Sequence, residues 1–367
     1  DYANTADTNK IVVAANGSEK IQGVATNPFE ITVEGGSVTL VYVDSTQGWR
    51  PTDASTAASI TENNVFITAT GGTITTSGDF KIHTFTGPGT FCVSAGAGPV
   101  AVVDYLVVAG GGSGGTNLGG GGGAGGFRES SGTASGCYTA SPLGACVSAL
   151  PVTVQGYAIT VGAGGVGSPY GSLSIPGSNS VFSSITSAGG GGGASSGVDG
   201  GTGIGSGRTG GSGGGSSYDN GGVNPGAGNT PPVSPPQGNN GGNAVEGPPA
   251  WAAAGGGGSS GVGDNGAAPG GGGGGNGQTT AITTSSTTYA GGGGGSGSTN
   301  QGSPGGPGGS GGGGGGGAGP TSPIGSAGTT NTGGGGGGVA NYSGPSGDRR
   351  AGHNGGSGIV IIRYKFQ

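Results

Sequence analysis

Residues 103–115 read VDYLVVAGGGSGG and residues 355–366 read GGSGIVIIRYKF. Each joins an apolar, β-branched run of strand length to glycine, the first leading into it and the second leading out. Between them lies most of the glycine in the chain, since all but 12 of its 105 glycines follow Ala109. A flexible linker is not normally bracketed in this way. Glycine loses more backbone entropy on folding than any other residue, so an ordered segment of this density must be held by something other than a side-chain core. Backbone hydrogen bonding is the available means.

Inside the body the glycines fall into blocks: Gly119–Gly123, Gly189–Gly193, Gly255–Gly258, Gly270–Gly275, Gly291–Gly295, Gly311–Gly317 and Gly333–Gly338. Pro, Asn, Ser and Thr separate them. Each block is long enough for one or two turns of a three-residue helix of the polyproline II type, rising about 3.1 Å per residue. Without side chains, such helices can lie side by side and exchange N–H to C=O bonds, leaving the intervening loops at the ends. Collagen is excluded because the strict Gly-X-Y period is absent. Disorder is the competing reading of the composition, and the flanking strands speak against it. Irregular coil packed on the sheets also stays open.

The rest of the chain reads as β structure. Lys10–Ala14, Phe29–Val33 and Ser37–Val43 are short β-branched runs, with turn signals at Asn16-Gly17 and Gly35-Gly36. The third run is apolar on both faces, which in so small a module predicts burial against copies of itself. Trp49 and Pro51 close this unit, and a polar linker follows. Further strands are expected at Asn64–Ala69, Thr73–Thr76, Phe80–Phe85, Thr90–Ser94, Val100–Val108, Tyr157–Val161, Ser180–Ser187 and Ile359–Phe366. The last should pair with the early ones and close the sheet around the glycine excursion. The expected class is all-β with no significant α-helix: an N-terminal module (1–51), a linker (52–63), and a β-sandwich (64–367) carrying a glycine-rich distal body (110–357).

Composition narrows function. Apolar residues are only 29% and charged residues 7%, with a net charge of −6. No basic surface exists to attract nucleic acid, and no apolar run approaches a membrane span. No methionine occurs, even at position 1, and no leader pattern is visible, so what precedes Asp1 stays open. Cys92, Cys137 and Cys146 lack metal-ligand spacing, and a Cys137–Cys146 bridge is weighed against free thiols. His83 and His353 sit in no catalytic motif and read as structural or exposed. Asp199, Asp219, Glu246, Asp264 and Asp348 are scattered through loop-like sequence, with no close pair for glycosidase chemistry. Calcium held by loop carbonyls and one or two of these carboxylates is the one metal reading considered; no cofactor is expected. The candidate binding residues are aromatic: Tyr170, Tyr218, Trp251, Tyr289 and Tyr342 lie in or beside Gly, Pro, Ser and Asn stretches. Aromatics in such settings stack on sugars or fill partner pockets, or else pin loops to the bundle.

Two stretches carry a resemblance. GSVTLVYVDSTQGWR (36–50) resembles a short module of tailed-bacteriophage fibre proteins, especially of marine and cyanobacterial hosts. The segment from Asn64 to Gly115, including FITATGGTITTSGDFKIHTFTGPGTFCV (66–93), together with the GGSGIVIIRYKF ending, is similar to the glycine-rich domain of such fibres. The resemblance implies a virion fibre, usually a homotrimer, that joins other virion or fibre proteins at one end and touches a bacterial surface glycan or outer-membrane protein at the other. Glycine-rich adhesins at the fibre tips of T-even-like phages are similar in concept, but this chain differs from them in having β structure on both sides of its glycine. A purely structural spacer, capsid fibre or filament subunit is the alternative. An enzyme such as a depolymerase lacks a visible site, and the irregular Thr and Ala spacing argues against ice binding.

Overall fold

The computed structural model describes residues 8–23, 28–32, 36–54, 66–96, 101–136, 138–144, 147–196, 206–217, 224–245, 251–267, 270–297, 303–318, 324–340 and 350–367. In chain order the strands are β1 (Ile11–Val13), β2 (Phe29–Ile31), β3 (Val38–Asp44), β4 (Gly48–Ala54), β5 (Thr68–Thr70), β6 (Thr73–Ser77), β7 (Phe80–Phe85), β8 (Gly89–Ala95), β9 (Val102–Val108), β10 (Phe127–Glu129), β11 (Leu150–Pro151), β12 (Gly156–Thr160), β13 (Ser180–Phe182), β14 (Ile185–Ser187), β15 (Gln278–Thr280), β16 (Thr287–Tyr289) and β17 (Ile359–Lys365). No helix occurs among the described residues, so the protein is all-β as expected. Its two compact units are Asp1–Ala69 with Val93–Ala101 and Pro151–Gln155, and Thr70–Cys92 with Val102–Leu150 and Gly156–Gln367.

The first unit holds two hairpin-like pairs, β1 with β2 and β3 with β4. Its core is small: Ile21, Phe29 and Ile31, flanked by Val13, Ala15, Val38 and Trp49. Asp44 Oδ1 accepts from the Thr46 and Gln47 amides at 2.8 and 2.7 Å, which tightens the β3–β4 turn. Gly48 follows with φ 66°, and a Cβ there would stand 1.9 Å from the Lys20 carbonyl oxygen. Strand β4 runs to Ala54, into the stretch that the sequence reads as linker. Pro51 is tolerated because the register shifts beside it, pairing Leu40 with Pro51 but Thr39 with Asp53. The two-faced strand is real, and Val41, Tyr42 and Val43 remain exposed on it.

Two larger sheets run in the orders β10-β9-β17-β7-β6, with β11 added on β9, and β14-β13-β12-β8-β5. The terminal strand β17 lies between β9 and β7, so Ile362 faces Tyr105 on one side and His83 on the other. Buried from Ile359 to Tyr364, it is apolar almost throughout because both its faces are covered. Aromatic rings fill the space between the sheets. Phe91 meets His83 at 5.1 Å and Tyr364 at 6.0 Å, and Phe182 meets Tyr105 at 6.5 Å, a sandwich-like arrangement. The predicted strand Ser180–Ser187 is a hairpin instead, β13 and β14 turning at Ser183 with φ 53°.

The glycine body is a lattice of backbone, clearest around residues 119–126. Gly120, Gly123 and Gly126 donate to Ala194, Gly191 and Ala188; Gly121 and Ala124 donate to Ala254 and Gly257; Gly119, Gly122 and Gly125 donate to Val339, Gly336 and Gly333. Every third amide therefore points to the same neighbour, the period of a polyproline II-type chain. The carbonyls of this segment reach three more neighbours, accepting from Gly115, Gly112 and Ala109, from Gly215 and Ser212, and from Ser296 and Gly293. Six segments thus surround one, at N···O distances of 2.7 to 3.1 Å. Side chains have no room here. A Cβ on Gly121, Gly122 or Gly123 would lie 1.9, 2.2 or 2.2 Å from a carbonyl oxygen of an adjoining segment.

Where the lattice is incomplete, amide side chains stand in for peptide groups. Gln237 Oε1 accepts from the Ala188 amide while its Nε2 donates to the Pro231 carbonyl. Asn240 and Asn354 accept through Oδ1 from the amides of Gly228 and Gly167 at 2.8 and 2.7 Å. These exchanges satisfy groups that would otherwise be lost from the network.

Candidate functional site

The register of the lattice fixes which end of the bundle each connection occupies. At one end the chain passes into or out of the sheets: Ala109 bonds Gly126, Phe127 bonds Gln237, Gly333 bonds Ser357 and Gly358 bonds Gly162. At the other end Ser296 bonds Gly119, Gly119 bonds Val339, Ser216 bonds Gly242, Gly297 bonds Gly317 and Gly352 bonds Ser168. At this second end lie the turn 169–173 and the described residues next to 196, 217, 245, 297, 318 and 340. At its centre, residues 116–118 join the two segments 109–115 and 119–126. Asn117 and Leu118 hold φ of 54° and 57° there, and the Ser196 amide donates to both the Thr116 and Asn117 carbonyls.

This geometry sorts the aromatic candidates. Tyr170 is half-buried in a turn at the loop-bearing end, where the Ser172 amide donates to the Pro169 carbonyl and Gly171 has φ 83°. Trp251 is half-buried at the same end, one residue before the bridge between Val245 and Ala252. Tyr218 and Tyr342 lie outside the described residues, in connections whose described flanks are at this end. Tyr289 is at the opposite end and only 6% exposed, packed in the core cluster with Ile282, Phe127 and Ile361. Burial raises its phenol pKa, with a hydrogen bond from Thr287 working the other way. Its role is to pin β16, so it drops out as an exposed binding residue. Cys137 and Cys146 also lie outside the described residues, while Cys92 is a free, exposed thiol.

A buried polar cluster at the sheet end was not singled out by the sequence. Asp104 accepts from Ser130 Oγ at 2.7 Å, Ser135 Oγ at 2.6 Å and the Gly132 amide at 3.1 Å. Arg363 lies between the rings of Phe80 and Tyr138, donating Nε to the Ser135 carbonyl and Nη1 to the Ile282 carbonyl, each at 3.2 Å. Glu129 accepts from the Ser141 amide at 2.8 Å and from the Thr280 hydroxyl. The signal was present, since each is a charged residue within a strand or strand-like run. These groups tie residues 130–144 and the β15–β16 hairpin to the sheet.

Burial pushes the Glu129 carboxyl above its ordinary value of 4.5, and the hydrogen bonds from Ser141 and Thr280 offset this only in part. A carboxyl whose folded pKa is raised contributes stability that is fully present below 4.5 and is lost as pH rises through the folded value. Glu129→Gln, neutral throughout, is expected to remove that part of the slope. Urea midpoints measured from pH 4.5 upward test this, and parallel profiles for the two proteins would refute it. His83 is buried between the Gly71 carbonyl at 2.7 Å and the Tyr364 hydroxyl at 3.0 Å, a structural placement. Among the described residues no group of three His, Cys, Asp or Glu side chains could hold a metal ion, and no helix is long and apolar enough to cross a membrane.

No curated protein and no solved structure matches this chain. A family model described as glycine-rich domain matches residues 83–365, from strand β7 through the whole bundle to strand β17. By that match the chain belongs to the glycine-rich domain family.

Proposed function

We propose that this chain is a non-enzymatic bacteriophage fibre protein that binds a receptor on the bacterial surface through the connections at the loop-bearing end of its bundle. The observation that carries this reading is the segregation of the two ends: sheets at one, and at the other Tyr170, Trp251 and the described flanks of Pro-, Asn- and Ser-rich stretches of sequence. A lattice held by backbone alone gives these connections a stiff base without constraining their sequence. The fibre is a homotrimer attached to other virion proteins, and its receptor is a surface glycan or an outer-membrane protein. Three copies per fibre turn weak single-site contacts into avidity. Aromatic side chains supply stacking area at low entropic cost.

Adsorption of the purified protein to candidate host cells tests the reading. Trp251→Ala is expected to weaken binding about tenfold or more, the loss of ~1.4 kcal/mol or greater typical of an aromatic anchor. Tyr170→Ala should act in the same direction, with both variants still unfolding cooperatively above the assay temperature. Wild-type protein that fails to bind any host cell, or variants that adsorb as well as wild type, would favour the spacer reading for this end.

A further inference from the structure

Tyr42 is the one exposed aromatic side chain among the described residues, 48% exposed where every other described Phe, Tyr and Trp is buried or half-buried. It stands on β3 directly across from Trp49 of β4, the two rings meeting edge to face at 5.6 Å and 68°. Trp49 is held in place by its neighbours. Its amide donates to the Lys20 carbonyl at 2.8 Å and its carbonyl accepts from the Gln22 amide at 2.9 Å, so β4 is paired along both edges here. Its indole packs on the core of Ile21, Phe29 and Ile31, and Nε1 donates to Glu19 Oε2 at 3.1 Å. That last bond fixes an exposed carboxylate at the rim of the aromatic pair. A lone exposed aliphatic residue needs no explanation, but a tyrosine braced by a second ring and rimmed by a carboxylate has the makings of a binding platform.

Ring and rim differ in chemistry. The face of an aromatic ring is apolar and carries partial negative charge, so it attracts C–H groups. Ionised carboxylates accept hydrogen bonds and donate none. Besides Glu19, the exposed Asp44 follows Tyr42 by two residues, with Oδ1 engaged by the Thr46 and Gln47 amides. A ligand suited to this surface has a flat C–H face for the ring and hydroxyl donors around its edge for the carboxylate, whose charge strengthens those bonds. A pyranose with equatorial hydroxyls is such a molecule, since its axial C–H bonds form the face and its hydroxyls radiate from the edge. An acidic sugar would be repelled by Glu19 and Asp44. We infer that Tyr42, braced by Trp49 and rimmed by Glu19, binds an uncharged pyranose unit of a glycan. The site belongs to the first unit and does not rest on receptor binding at the bundle end.

Titration calorimetry of the full chain with β-1,4-linked hexasaccharides of glucose and of N-acetylglucosamine tests this. Wild type is expected to bind at least one of them saturably, with a Kd of about 1 mM or tighter, and to bind the acidic hexasaccharide of galacturonate at least tenfold more weakly. Tyr42→Ala should weaken binding at least tenfold. Tyr42→Phe should keep it, because the ring and not the phenol hydroxyl does the stacking. Val41→Ala, on the opposite face of β3, should leave it unchanged. Trp49 and Trp251 are the chain's two tryptophans, so in a Trp251→Phe background the emission of Trp49 reports this site alone and should follow the titration. If Tyr42→Ala disturbs that emission without sugar, Glu19→Gln decides instead, since it can still accept from Trp49 Nε1 and should weaken binding severalfold. No saturable binding up to about 10 mM, acidic sugar bound as tightly as neutral, or Tyr42→Ala or Glu19→Gln binding like wild type would each overturn the inference.

Discussion

Replacing Gly122 with valine is expected to prevent the bundle from assembling. Its Cβ would lie 2.2 Å from the Gly112 carbonyl oxygen and 2.8 Å from that of Ser113, and both obstacles are backbone, with no rotamer to yield. Gly122 is bonded through its amide to Gly336 and through its carbonyl to Gly293, so moving it aside breaks hydrogen bonds to two segments at once. Overpacking of an ordinary core costs about 1–3 kcal/mol. Here the loss should exceed that range, because peptide groups would also be left unpaired. Gly315→Ala is the matched control, since the nearest atom its Cβ would meet is Ser326 Oγ at 3.8 Å. Thermal unfolding of the two variants should separate a protein that hardly folds from one close to wild type. Equal midpoints would mean that the lattice does not hold the domain together. Gly314→Val falls on the damaging side, facing the Ser326 carbonyl oxygen at 2.1 Å.

Asp104→Ala is expected to cost about 3 kcal/mol or more, because buried donors left without an acceptor cost about 1–3 kcal/mol each and three of them would lose theirs. Three donors converge on its carboxylate, two of them hydroxyls from residues 130 and 135. The Ser130 hydroxyl also accepts from the Tyr105 amide at 3.0 Å, so its loss of orientation would reach the sheet itself. Arg363 would lose a favourable charge, while burial already works to lower its pKa. Asp104→Asn preserves the shape but turns an amide nitrogen toward donors, and should recover only part of the stability. Urea midpoints at unchanged slope measure the loss. A change below about 1 kcal/mol would place the carboxylate among ordinary, replaceable hydrogen-bond partners.

The framing strands were legible because they are long and strongly patterned. Phe80–Phe85 and the Ile359–Phe366 run announced both their existence and, by bracketing the glycine, their pairing. The bundle was legible through composition: blocks without side chains can be ordered only by their peptide groups. Its lattice was not legible, because glycine blocks are interchangeable as sequence and nothing in them names a neighbour. The short strands β10, β15 and β16 hold three residues each, too few for any period to show. Tyr289 falls on the pinning side of the two readings for a related reason, since its Ser- and Thr-rich surroundings read as loop while they form a hairpin whose tyrosine closes the core. The placement of Tyr170 and Trp251 at one end needed the register of hydrogen bonds, which couples residues far apart in the chain.

The lattice hides peptide groups where most domains hide hydrocarbon. Exposing apolar surface raises the heat capacity of unfolding by about 0.45 cal/K/mol per Å², whereas exposing polar surface lowers it by about 0.26. Melting the bundle uncovers mainly the second kind, so the curvature that makes ordinary domains weaken in both heat and cold should be nearly absent from it. Its stability then varies almost linearly with temperature, rising steadily on cooling, and the bundle holds its loops as firmly in cold water as in warm.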